Sequence, residues 1–212
     1  MKATAVVPVK RFAVAKSRLD HGVEETRKPE LVAAMVADVL EAIGSARLIE
    51  RTIVVSQEPR AAELAEAAGA ELLSDFDDAG HSAAALAGIA AAEAAGAGCV
   101  TLLPGDCPLL DPRELDKMLT GVPDRYVAVI PDRHGTGTNA LVLAPPSAIE
   151  PSFGEGSRER HVAAARAAGV PYGVEELASL GLDLDTPADI VALTMRVEMG
   201  GGAKRTAKAL GI

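Results

Sequence analysis

The sequence predicts an α/β protein built on a mostly parallel central sheet, and three observations lead there. Short apolar runs alternate with longer stretches of helical spacing, the pattern of βαβ units. Nearly half of the residues are hydrophobic (49%), yet aromatics make up only 2%; a core of Ala and Val suits helices packed closely on a sheet covered on both faces. A chain of 212 residues is of the size for one domain.

The first strand is expected over Ala3–Val9, ended by a basic loop. Pro29 suits the first turn of a helix that runs to Ile43, where Gly44 stops it. Thr52–Ser56 is β-branched and reads as the second strand, followed by a helix ending near Gly69. Leu72–Leu73 marks a short third strand, and the Ala-rich stretch Ser82–Ala95 a helix. Cys99–Leu103 forms the fourth strand and runs into Pro104-Gly105-Asp106-Cys107-Pro108. Asp111 before Pro112 has the N-cap and first-turn pattern of another helix.

After residue 120 the rhythm changes. Tyr126–Pro131 and Ala140–Ala144 read as two strands joined by Asp132–Asn139. A Gly-rich segment, Phe153–Ser157, leads into a helix near Arg158–Ala168, and Leu182–Pro187 precedes a last helix, about Pro187–Met199. One domain is expected over 1–199, with 200–212 as a Gly-rich, then basic tail that is partly disordered.

The net charge of −9 argues against a general nucleic-acid binder, which carries a basic face. Cys99 and Cys107 form no CxxC pair, so a disulfide framework is not expected. The chain reads straight into a strand with no signal peptide, and no apolar run reaches the length of a membrane span. A cytoplasmic protein without nucleic-acid or membrane partners is the expectation.

Four constellations carry the chemistry. Lys10, Arg11, Lys16 and Arg18 place four cations within nine residues at the end of the first strand, where a triphosphate is neutralised; the bland alternative is a solvated basic loop. Gly105-Asp106 ends an apolar strand, so Asp106 faces the ligand crevice and can hold a divalent cation, or it is simply a cap or turn residue. Asp183 and Asp185 lie two apart in an extended segment and share one face, which calls for a cation between them; Asp185 also fits as the cap of the last helix. Gly135-Thr136-Gly137-Thr138-Asn139 and Gly154-Glu155-Gly156-Ser157-Arg158 offer close backbone approach and hydroxyl donors to a phosphate or carboxylate, with Ser157 as a candidate N-cap. The histidines show no triad or metal spacing; His161 reads as a packed or surface helix residue, and Cys107 as structural.

Taken in order, these motifs resemble the CofC/FbiD family, the guanylyltransferases of deazaflavin coenzyme biosynthesis. The basic first loop, Gly-Asp-x-Pro, Asp-Arg-x-Gly-Thr-Gly-Thr, Phe-Gly, Ser-x-x-Arg-His and Asp-x-Asp-Thr-Pro follow one another over about residues 3–195. The resemblance implies a single-domain, Rossmann-like nucleotidyltransferase fold (GT-A-like). It implies GTP and a small phosphoacid as substrates, the latter 2-phospho-L-lactate, phosphoenolpyruvate or 3-phosphoglycerate, with release of pyrophosphate. It places Mg²⁺ on Asp106, Asp183 and Asp185, and the phosphoacid on Thr138, Gly154 and Ser157. The nucleotide is then expected on Lys10, Lys16, Arg18 and Gly105, with Lys16 and Asp106 catalytic, and a downstream transferase receives the product. The Ala-rich composition suggests a bacterial member, which leans the acceptor toward phosphoenolpyruvate.

One departure stands out. Many members carry Leu-Asn before the helix that precedes the Gly-Asp strand, where the base is held; here that region reads Gly80-His81-Ser82. Two alternatives are a nucleotidyltransferase for a sugar phosphate or molybdopterin, against which the first loop lacks a Gly-rich signature, and a non-enzymatic nucleotide-sensing domain.

Overall fold

A computed structural model of the protein describes residues 2–12, 19, 24–74 and 80–212; Lys16 and Arg18 lie outside them. The strands are β1 (Ala3–Pro8), β2 (Ile49–Ser56), β3 (Glu71–Ser74), β4 (Val100–Leu102), β5 (Tyr126–Pro131), β6 (Thr138–Ala144) and β7 (Tyr172–Val174). The helices are α1 (Lys28–Ser45), α2 (Pro59–Ala67), α3 (His81–Ala94), α4 (Pro112–Leu119), α5 (Ser157–Ala167), α6 (Pro187–Glu198) and α7 (Lys204–Leu210).

Among the described residues, seven strands join one sheet in the order β3-β2-β1-β4-β6-β5-β7. Pairing is parallel except at β6, which runs antiparallel to both β4 and β5. The mostly parallel α/β sheet expected from the sequence is therefore present. Alternate residues of each strand serve opposite faces. Ala5, Val7 and Val54 pack under α1, α2 and α4, whereas Val6, Ile53 and Val55 pack under α3 and α5. The Ala-rich α3 can approach β1 closely because a Cβ at Gly88 would collide with Val6.

This topology assembles one functional edge. The carboxyl ends of β1, β2 and β4 open together, so residues 9–12, 56–58 and 103–107 are neighbours there. Because β6 is reversed, its amino end, beginning at Thr138, arrives at the same edge. The strand starts earlier than the expected Ala140, so Thr138 and Asn139 belong to the sheet rather than to the loop.

Two elements differ from expectation. β7 has only three residues, Tyr172-Gly173-Val174, too short and too Gly-interrupted to register as an apolar run. The tail is not disordered over 200–212: Lys204–Leu210 forms α7, which packs on α1. Ala203 before it has φ 65 and no capping side chain, and Asp38 of α1 takes over that role. Its carboxylate accepts from the Arg205 and Thr206 N–H groups (3.1 and 2.8 Å) and from the Thr206 hydroxyl (2.7 Å), satisfying donors that the helix start leaves open. Among the described residues, no helix is long and apolar enough to cross a membrane.

Candidate active site

The backbone brings together two acidic segments that lie far apart in sequence. The Leu184 N–H donates to the Asp106 carbonyl at 3.2 Å, which seats the Asp183–Asp185 stretch beside the loop after β4. Leu182 and Leu184 are buried, while Asp183 and Asp185 alternate with them and are half-buried, as is Asp106. The alternation expected of an extended segment thus holds, with leucines toward the core and carboxylates away from it.

Asp185 is not the cap of α6. That role belongs to Thr186 and Asp189: the Asp189 carboxylate accepts from the Asp185 N–H (2.9 Å), the Thr186 N–H (2.7 Å) and the Thr186 hydroxyl (2.9 Å). Burial pushes the Asp189 carboxyl up, but these donors and the Arg133 guanidinium paired with it hold it below the usual carboxylate range. Among the described residues, no group of three or more His, Cys, Asp or Glu side chains forms a ready-made metal cluster. Asp106, Asp183 and Asp185 supply oxygen donors, the type that suits Mg²⁺, which commonly takes one or two carboxylates and completes its shell with water and substrate phosphate.

Thr138, Gly154 and Ser157 lie on β6 and on the turn that leads into α5. The loop over 132–137 folds back on its own first residue: the Thr136 N–H donates to the Asp132 carboxylate (3.0 Å), and a Cβ at Gly137 would come within 2.6 Å of that same group. The second loop turns through left-handed Gly154 (φ 106) and Gly156 (φ 68). Arg160 binds this loop from within, donating to the Ser152 hydroxyl (2.9 Å) and to the Ser152, Phe153 and Glu155 carbonyls. The two loops are tied together where the Arg158 N–H donates to the Thr136 carbonyl (3.3 Å). Gly156, rather than Ser157, occupies the N-cap position of α5. Ser157 is fully buried, and its hydroxyl has no hydrogen-bond partner among the described residues.

His161, one turn further along α5, is also fully buried. One ring nitrogen meets the Thr138 hydroxyl (3.0 Å) and the other the Ser152 N–H (2.8 Å). Phe153 stands edge-on between His161 and His81, with ring centroids 5.3 and 4.7 Å away. Ser82 at the start of α3 accepts from the Phe153 N–H (3.0 Å), so α3 joins the same edge. A cleft of about 660 Å³ is lined by Arg133, Arg158 and Arg196 together with Asp132 and Glu176, and none of the described residues expected to hold metal, nucleotide or phosphoacid is in its lining.

The basic side is built from the end of β1. The Ser56 hydroxyl donates to the Val9 carbonyl (2.8 Å), Arg11 donates to the Gln57 side chain (2.6 Å), and the Phe12 N–H donates to Glu58 (2.9 Å). Lys10 between them is exposed. Burial holds the His81 imidazole below its ordinary pKa; the Asp106 carboxylate opposes this and the Lys10 ammonium adds to it, so His81 lies within electrostatic reach of both walls. Gly105 packs against Val36 and Val9, where a Cβ would sit 3.3 and 3.5 Å from their methyls. Cys107 is buried beside the Leu180 carbonyl, and burial pushes the Cys99 thiol up to about 11, so neither is poised as a nucleophile.

His161 is a packed helix residue, as the sequence suggests; its contacts with Thr138 and Ser152 were not anticipated. The available signal was spacing: Ser157 and His161 are four apart and therefore share one helix face.

Comparison with known proteins gives consistent matches. The family described as "Guanylyl transferase CofC like" matches residues 3–212. A phosphoenolpyruvate guanylyltransferase of Conexibacter woesei is 42% identical over 210 residues, covering 97% of this chain and 94% of that one. A 3-phospho-D-glycerate guanylyltransferase of Phenylobacterium zucineum is 37% identical, covering 98% and 95%. Among solved structures, a nucleotidyl transferase from Methanothermobacter superposes with a TM-score of 0.67 at 20% identity, covering 94% of this chain and 99% of that one. The last likeness identifies the fold as that of the nucleotidyltransferases.

Proposed function

The chain belongs to the CofC-like guanylyl transferase family, and from that premise we propose that it joins GMP from GTP to a small phosphorylated carboxylic acid and releases pyrophosphate. Phosphoenolpyruvate is the favoured acceptor, because that is the substrate in the names of the Conexibacter and Sphaerobacter relatives. 3-Phosphoglycerate is the second candidate, on the name of the Phenylobacterium relative. The observation that supports the proposal is the backbone bond from Leu184 to Asp106, which sets the Asp183–Asp185 segment beside the loop after β4.

The chemistry follows from the substrates. An oxygen of the acceptor phosphate attacks the α-phosphorus of GTP; the new P–O bond forms as the bond to the bridging oxygen breaks, and pyrophosphate leaves with that electron pair. A phosphate dianion is already a competent nucleophile, so no general base is needed. The obstacle is repulsion: two unit charges 4 Å apart oppose each other by roughly 4 kcal/mol at an effective dielectric of 20. Magnesium held by Asp106, Asp183 and Asp185 would supply the screening charge and orient phosphate oxygens. Lys16, with Lys10 or Arg18, neutralises the departing pyrophosphate. Thr138, Gly154 and Ser157 seat the phosphoacid through hydroxyl and backbone donors, so that positioning and charge complementarity provide the rate. The product is an activated phosphoric anhydride, which a downstream transferase in the cytoplasm is proposed to consume.

A panel of four nucleoside triphosphates against phosphoenolpyruvate, 3-phosphoglycerate and 2-phospho-L-lactate, with mass detection of products, tests this. A guanylylated phosphoenolpyruvate is expected to dominate. A cytidylyl product, or transfer only to a sugar phosphate, would reject it.

A further inference from the structure

Deepening the phosphoacid seat, and resting on the reading of Thr138 as part of it, we propose that His161 is a positioning residue that fixes the Thr138 hydroxyl as a hydrogen-bond donor toward the phosphoacid. The argument is one of donor and acceptor accounting. A backbone N–H can only donate, so the Ser152 N–H, 2.8 Å from Nε2, requires a bare lone pair on that nitrogen. A neutral ring with a bare Nε2 carries its proton on Nδ1. Nδ1 lies 3.0 Å from the Thr138 Oγ1, so His161 donates and Thr138 accepts. The hydroxyl's own hydrogen is then turned away from His161 and left for a third group. An acceptor-rich anion is what such a hydrogen suits.

The surroundings keep the ring in this state. His161 is fully buried, and burial, with the Arg160 charge beside it, lowers its pKa to about 4, so the second proton that would make both nitrogens donors is absent at neutral pH. Phe153 lies edge-on against the ring at 73°, and His81 edge-on against Phe153 at 87°, which resists rotation of the imidazole. The same histidine therefore joins two walls of the seat: Thr138 on β6 and the Ser152–Gly154 turn. Ser157, one turn earlier on the same face of α5, contributes the second buried hydroxyl, whose hydrogen also has no acceptor among the described residues. A phosphorylated carboxylic acid would meet two hydroxyls, one of them aimed in advance, which reduces the rotor entropy lost on binding.

Nitrogen chemical shifts of ¹⁵N-histidine-labelled protein read the tautomer directly, and they require no variant. Protonated Nδ1 with bare Nε2 is expected. The role is read from His161→Asn, whose amide nitrogen takes the place of Nδ1, and His161→Gln, whose oxygen reaches toward the Ser152 N–H but leaves Thr138 without its donor. The Gln variant should raise KM for the phosphoacid about tenfold with KM for GTP unmoved, and the Asn variant should fall between it and the wild type. In a Thr138→Val background the Gln substitution should add nothing. A bare Nδ1, or a Gln effect that persists undiminished beside Thr138→Val, overturns the proposal. If Thr138→Val itself leaves phosphoacid KM unchanged, the seat is wrong and the role assigned to His161 goes with it, even where the tautomer is as stated.

Discussion

Ser157→Ala should strengthen the free protein and weaken its substrate complex. The hydroxyl is fully buried and has no hydrogen-bond partner among the described residues, and leaving such a group unpaired costs about 1–3 kcal/mol. Alanine removes that cost and keeps the Ser157 N–H bond to the Gly154 carbonyl (3.0 Å), which is a backbone contact. A gain of about 1 kcal/mol corresponds to a rise in Tm of about 3 °C for a chain of this size. In the complex the balance reverses, since a hydroxyl donating to a charged oxygen contributes about 1.5–3 kcal/mol, or roughly 10- to 100-fold in phosphoacid affinity. Thermal melts of both proteins, alone and with saturating phosphoacid, would show the two effects with opposite signs, and KM for GTP serves as the control. A variant that melts lower than wild type in the absence of ligand would mean that the hydroxyl is satisfied in the folded protein. Unchanged phosphoacid affinity would remove Ser157 from the seat.

Asp106→Asn should abolish turnover while the melting temperature stays within a degree or two; near-normal activity would take Asp106 out of the proposed metal site. His161 has a folded pKa near 4 against 6.5 when unfolded. The unfolded chain therefore binds the extra proton between those values, so this contribution is fully present above about pH 6.5 and is lost as pH falls toward 4, by about 3 kcal/mol in total. Urea titrations across that window should show the loss in wild type and a shallower slope in His161→Asn; equal slopes would contradict it. Asp38→Ala should destabilise by about 3 kcal/mol by leaving the Arg205 and Thr206 N–H groups and the buried Thr206 hydroxyl without their acceptor. Hydrogen exchange confined to α7 would trace the damage, and unchanged protection there would show that Asp38 does not hold the helix.

The parts of the fold that a local pattern specifies were legible in the chain. The run Cys99–Leu103 ends in Gly105-Asp106 because the strand must stop where its loop meets the crevice, and Asp183-x-Asp185 works because Leu182 and Leu184 claim the core between them. Contacts that depend on distant partners left no such trace. Nothing near Lys204–Leu210 indicates that Asp38, more than 160 residues earlier, supplies its cap. Ser157 has the composition of an N-cap, but the left-handed Gly156 takes that position and frees the hydroxyl. His161 reads as an ordinary helix residue until Thr138, 23 residues away, is found on one of its nitrogens. Lys16 and Arg18 lie outside the described residues, so their expected hold on the triphosphate rests on the sequence and the family.

The most direct test follows pyrophosphate from the purified protein given GTP, Mg²⁺ and phosphoenolpyruvate, omitting each in turn. One pyrophosphate per guanylylated product, and none when either the phosphoacid or the metal is withheld, is the predicted result. Pyrophosphate released from GTP alone, or at an undiminished rate in the presence of a metal chelator, would contradict transfer between two anions gathered at this edge.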